Sequence, residues 1–188
     1  MMSFQDELKM LKKGELTLLR ILPDGSRELA FEDNNQIQYV GAHKIARALV
    51  SSVYPMPVLS KMIVSTYDPV NAVPVGDPRG VPRSRANQTT PSNLTDPTFP
   101  VDLETTAFQA QHTTASNEPQ IIVCKGVVMN TSLVHTTRFF QFGLLMTGQK
   151  PNTGQMENTI LAYKYVPGGV SWGIATGMDI IWTLYIGA

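Results

Sequence analysis

The sequence predicts a mainly β chain: an antiparallel β-sandwich, jelly-roll-like, with one or two short peripheral helices and a long proline-rich loop. Three observations lead there. Short stretches alternate apolar and polar residues with period two, turn-forming residues separate them, and 43% of the 188 residues are hydrophobic, enough for a real core in one domain. The clearest stretch is the last, Met178 to Ile186. Ile180, Trp182, Leu184 and Ile186 share one face of it and Asp179, Ile181, Thr183 and Tyr185 the other, which predicts an interior strand with a use for both faces.

Taken in order, Ser3 and Asp6 resemble a capping box. Phe4, Leu8 and Leu11 then share a helical face before Gly14, so residues 1–14 are expected to form an N-terminal helix or arm. Glu15 to Leu22 and Arg27 to Glu32 read as a hairpin around Pro23-Asp24-Gly25-Ser26, where proline presets φ and glycine accepts a positive one. Asp33-Asn34-Asn35 reads as a second turn and Gln36 to Val40 as a short strand. From Gly41 the spacing of Ile45, Ala46, Leu49 and Val50 becomes helical, with His43, Lys44 and Arg47 on the polar side of a helix over Ala42 to Ser51. Leu59 to Thr66 is the next strand.

Asp68 to Pro100 differs from everything around it. It holds seven prolines, few large apolar residues and Arg79, Arg83 and Arg85, so residues 68–100 are expected to be an extended loop or arm. Stiff, proline-rich sequence loses less entropy on binding than a flexible linker does, and arginine pairs well with carboxylates of a partner. Leu103 to His112 then reads as a polar, Thr-rich strand, exposed on one face or at a sheet edge, and Gln120 to Met129 as a stronger strand in which Gly126 marks a bulge. Thr136 to Met146 and Thr159 to Val166 follow as strands, with Pro167-Gly168-Gly169 as a turn before the last one.

The chemistry-bearing residues form no catalytic pattern. His43, His112 and His135 lie in three separate stretches without cysteine or carboxylate at ligand spacing. Asp6, Glu7, Glu32, Asp33, Asp102, Glu104 and Asp179 are not arranged as an acid/base pair. No catalytic residue, cofactor or metal site is therefore expected, and the protein is read as not an enzyme. Formal charge is zero and Arg79, Arg83 and Arg85 have no interleaved aromatics, which argues against a specific nucleic-acid partner. Cys124, the single cysteine, lies among apolar residues and reads as an inert buried hydrophobe. No secretory signal or membrane helix is expected, which places synthesis in a cytoplasm; the sequons at Asn87, Asn93 and Asn130 are then chance matches. Trp172, Tyr163 and Tyr165 near the Pro167-Gly168-Gly169 turn admit a second reading, a platform for a host glycan.

Two stretches resemble small structural proteins of tailed bacteriophage particles. Glu32 to Leu49 is similar to their opening of polar turn, strand, glycine and short helix. Phe142-Gly143-Leu144-Leu145, Ile160 to Tyr165 and Met178 to Ile186 are similar to their ending. Met62 to Pro69, between them, lacks the Gly-Thr-Gly-like turn of that family. The resemblance implies a β-rich virion component, a capsid cement or decoration protein assembled in the host cytoplasm, or a collar, tail, baseplate or fibre-attachment part. Its partners would be the major capsid protein or other virion proteins and further copies of itself, a trimer among the arrangements. The expected contact residues are Arg79, Arg83 and Arg85 on the arm and Ile181 and Tyr185 on the outer face of the last strand.

Overall fold

A computed structural model describes residues 13–37, 39–50, 55–68, 103–113, 120–130, 137–149 and 153–186. Nine strands and one helix are built from them: β1 (Lys13–Ile21), β2 (Arg27–Ile37), α1 (Tyr39–Val50), β3 (Val58–Ser65), β4 (Leu103–Glu104), β5 (Thr106–Thr113), β6 (Gln120–Met129), β7 (Arg138–Gln149), β8 (Met156–Ser171) and β9 (Gly177–Ile186). All pairings are antiparallel, in the order β4-β3-β7-β8-β2-β1-β9-β6-β5. One sheet holds β2, β1, β9, β6 and β5; the other holds β2, β8, β7, β3 and β4.

The two sheets are joined at two corners. Most of β2 pairs with β1, but its last residues, Gln36 and Ile37, cross to β8. On the other side, β4 pairs with β3 and β5 with β6, and Thr105 alone separates β4 from β5. Thr105 is tied down there: its N–H donates to the Met62 carbonyl at 3.0 Å and its hydroxyl accepts from the Met62 N–H at 3.0 Å. The β-sandwich expectation holds. The strand order, with hairpin partners β1/β2 and β7/β8 side by side, gives no support for the jelly-roll detail.

Leu16 and Leu18 of β1, Cys124 and Val128 of β6, and Ile180, Trp182 and Leu184 of β9 meet Met62, Val64, Phe139, Phe142, Leu144 and Met146 of the opposite sheet in one core. That is the interior face that period-two alternation predicts. β9 lies between β1 and β6, an interior strand as expected. The first hairpin is also as expected: Gly25 has φ of 81°, and the Asp24 carboxylate accepts the Ser26 N–H at 2.8 Å and its hydroxyl at 2.6 Å. That bonding holds the Asp24 carboxyl below its ordinary range.

The helix starts at Tyr39 rather than Ala42 and closes one end of the sandwich, Ile45 packing on the core. Gly41 is needed because a Cβ there would sit 2.7 Å from the Leu161 backbone. Lys44, expected on a solvated face, instead reaches Glu157 and Thr159 of β8. At the opposite end Arg20 of β1 reaches across to β8, its Nε donating to the Ser171 carbonyl at 2.9 Å.

Three local expectations are corrected. Asp33-Asn34-Asn35 is no turn; β2 runs straight through, and Lys164 bonds both the Asp33 carboxylate and the Asn34 carbonyl at 2.6 Å, holding the polar run extended. Pro167-Gly168-Gly169 is a bulge inside β8: Val170 pairs with Phe139 and Tyr165 with Gln141, the loop between bowing out on the positive φ of both glycines. Gly126 does mark a bulge, on its β5 side: Thr106 pairs with Val127 and Gln109 with Lys125, so Ala107 and Phe108 face Gly126 alone, while β6 pairs with β9 without a shift; Thr105 packs on this glycine, 2.7 Å from where a Cβ would be. Gly14, expected to stop a helix, is in β1 opposite Leu184 and Asn35, and the rest of the N-terminal helix expectation lies outside the described residues.

Cys124 is fully buried, and burial pushes its thiol up to about 12 from an ordinary 9.0. Between those values the unfolded chain loses the proton and the folded one keeps it. Stability is therefore full below pH 9 and is expected to fall by up to ~1.4 kcal/mol per pH unit as pH rises toward 12. Urea unfolding across that range checks it, and iodoacetamide should label the thiol only in denaturant.

Candidate interaction surfaces

The chain entering and leaving residues 69–102 is fixed at one place. After β3, Thr66 to Asp68 is pinned to the outer side of the β3-β7-β8 sheet. Gln141 Nε2 donates to the Tyr67 carbonyl at 3.0 Å, and the Tyr165 hydroxyl donates to Asp68 Oδ1 at 3.0 Å. Gln141 is itself buried and its Oε1 accepts the Tyr163 hydroxyl at 2.8 Å, while the Ser65 hydroxyl accepts the Tyr67 N–H at 3.1 Å. Buried polar groups need such partners, and here their bonding fixes the direction in which the chain leaves the sheet. It returns at Leu103, which pairs with Val64 at the same end of β3. Arg79, Arg83 and Arg85 lie outside the described residues, as does nearly all of the 68–100 arm.

Ile181 and Tyr185 are on the outer face of β9, half-buried, as alternation requires. They do not form an apolar patch. Ile181 has Thr17 of β1 and Lys125 of β6 as its cross-strand neighbours, and the Tyr185 hydroxyl donates to Glu15 Oε2 at 2.9 Å. That bond first, then burial and the Glu15 charge, hold the phenol above its ordinary range. The outer face at these positions is a mixed surface that carries polar contacts as well as apolar ones.

The aromatic platform is not on the surface. Trp172 is fully buried, edge-on to Phe139 at 5.1 Å between ring centroids, and Tyr163 is buried as well. Both tryptophans leave their indole N–H without a hydrogen-bond acceptor.

Three carboxylates of the described residues tie strands together: Asp33 with Lys164, Asp179 with Arg27 at 2.5 Å, and Glu104 with Lys61 at 2.7 Å. Lys164, then the Asn34 N–H, hold the Asp33 carboxyl below its ordinary range. Among the described residues no three His, Cys, Asp or Glu come together as a metal site, and no helix is long and apolar enough to cross a membrane. His43 and His112 are on α1 and β5; His135, Asp6, Glu7 and Asp102 lie outside the described residues.

β5, which the sequence left as either one-face-exposed or an edge, ends its sheet. β5 pairs with β6 on one side from Gln109 to Thr113, and the described residues place no strand along its other side there. Ala107, at φ of 50°, sits with Phe108 in a bulge of β5 opposite Gly126, just after the Thr105 corner. The signal available in the sequence was the absence of any Lys, Arg, Asp, Glu or Pro from Thr106 to Thr113. Compared with known proteins, the chain matches no family model, no curated sequence and no solved structure, so its surfaces stand on their own geometry.

Proposed function

We propose that this chain is a non-enzymatic structural protein of a phage particle, a capsid cement or decoration protein that clamps neighbouring capsid subunits. The observation that carries the clamping part is the common root of residues 69–102: Asp68 and Leu103 are both held at one end of β3. With both ends held together, the prolines and arginines of this segment suit use as an extended arm on an acidic neighbour. Many weak arm contacts repeated over a lattice add up to a stable shell. The phage part is supported by the resemblance of Glu32 to Leu49 and of the stretches from Phe142 to Ile186 to that family's pattern. Major capsid protein is the partner, with further copies of this chain meeting at Ile181 and Tyr185. A collar, tail, baseplate or fibre-attachment position is the alternative within the same class. A host-glycan module would need Trp172 at the surface, and its burial removes that support.

Deleting Asp77 to Pro97 tests the arm. The sandwich is expected to fold and melt as before, because both roots stay in place, while incorporation into particles falls. Unchanged incorporation would sink the arm. Electron microscopy of intact particles separates a head position from a collar or tail one.

A further inference from the structure

We infer that Asp24-Gly25, at the tip of the first hairpin, is a latent site of backbone modification, and that Ser26 holds it shut in the folded chain. It is the one Asp-Gly pair in the sequence, which has no Asn-Gly pair. Such a pair isomerises without an enzyme. The Gly25 nitrogen attacks Asp24 Cγ, the amide proton and the carboxyl hydroxyl leave together as water, and a five-membered succinimide closes. Water then adds to the Asp24 main-chain carbonyl and breaks its bond to the Gly25 nitrogen. The peptide now runs through the side chain, one methylene longer, and the old carbonyl is a free carboxylate. One water leaves and one returns, so no co-reactant is needed. Glycine makes the attack easy because no Cβ shields its nitrogen, and nothing lies within 4 Å of where one would be.

The folded turn opposes each part of this step. The Gly25 N–H already donates to the Leu22 carbonyl at 2.9 Å, and the Leu22 N–H to the Ser26 carbonyl at 2.9 Å. Asp24 Oδ1 accepts the Ser26 N–H at 2.8 Å and the Ser26 hydroxyl at 2.6 Å, so the electrophile is tied to Ser26. Both bonds favour the ionised carboxylate, whose oxygen leaves less readily than the hydroxyl of the acid. Isomerisation would push Leu22 and Ser26 apart by the added methylene and break the turn bonds. The β1–β2 pairs begin at Ile21 and Arg27, so the damage stays at the hairpin tip.

The test follows isoaspartate in the full chain at mildly acidic pH, read by enzymatic methyl transfer to the isoaspartyl carboxyl and by resistance of the Asp24 peptide to cleavage before aspartate. Ser26 is exposed, so Ser26→Ala should melt like the parent yet isomerise several-fold faster, while Ser26→Thr, which keeps a hydroxyl, should match the parent. Unfolded in urea, parent and Ser26→Ala should isomerise alike and faster than either does folded. A folded parent as fast as its unfolded chain, or a folded Ser26→Ala no faster than the parent, would overturn the inference. So would an alanine effect of equal size in urea, since Ser26 would then act through local sequence chemistry and not through the turn. None of these outcomes bears on the particle reading.

Discussion

Trp182→Ala is expected to leave no folded, soluble chain. Trp182 is fully buried at the middle of β9, with Leu16 of β1 and Cys124 of β6 as its direct neighbours and the opposite sheet above it. Truncating a buried aromatic of this kind costs about 3 to 5 kcal/mol, and typical domains have only about 5 to 15 to lose. Trp182→Phe separates bulk from chemistry. It keeps most of the volume and removes an indole N–H that has no acceptor, so it should melt near the parent chain. Circular dichroism and limited proteolysis read both, and an alanine variant that melts like the parent would mean that the core lies elsewhere.

Gly126→Ala should destabilise the fold by about 2 kcal/mol, the usual scale for forcing one methyl into a packed site. The added Cβ meets Thr105 Cβ at 2.7 Å, and its Cγ2 and Oγ1 at 2.9 Å, at the residue that carries the chain from one sheet to the other. Thr105 cannot retreat freely, because its hydroxyl and N–H are both bonded to Met62. Thr105→Gly makes room but gives up the hydroxyl bond. The double variant should therefore be less destabilised than the sum of the two single ones, since the two residues share one contact. Additive losses in denaturant unfolding would show that the corner is looser than these distances require.

What the sequence made legible was local. The first hairpin was readable because proline, aspartate and glycine each do a specific job in its turn, and β9 because its alternation places a tryptophan on the inner face. The corrections share a cause, which is that distant residues decided them. Asp33-Asn34-Asn35 stays extended because Lys164 reaches it from β8, and Pro167-Gly168-Gly169 bulges within a strand because Phe139 and Gln141 of β7 pair on either side of it. Neither partner is near in sequence. Of the contact residues, Ile181 and Tyr185 were placed on the correct face, but period two says nothing about neighbouring strands, and Thr17, Lys125 and Glu15 are what make that face mixed. The roots of 69–102 were invisible because they depend on Gln141 and Tyr165, residues far along the chain. β5 was half legible: its polarity indicated exposure on a face or an edge, and pairing alone shows that it ends its sheet.

The two corners, β2 and the β4-Thr105-β5 crossing, have a consequence for how the protein comes apart. Because each sheet lends strands to the other, neither can peel away as a unit while its partner stays intact. Backbone amides on β1 and on β7, in opposite sheets, should therefore exchange with solvent at a common opening free energy, as one cooperative body. Strain arriving at either face is therefore shared by both, and the molecule yields all at once or not at all, a property that the proposed role in a shell would use.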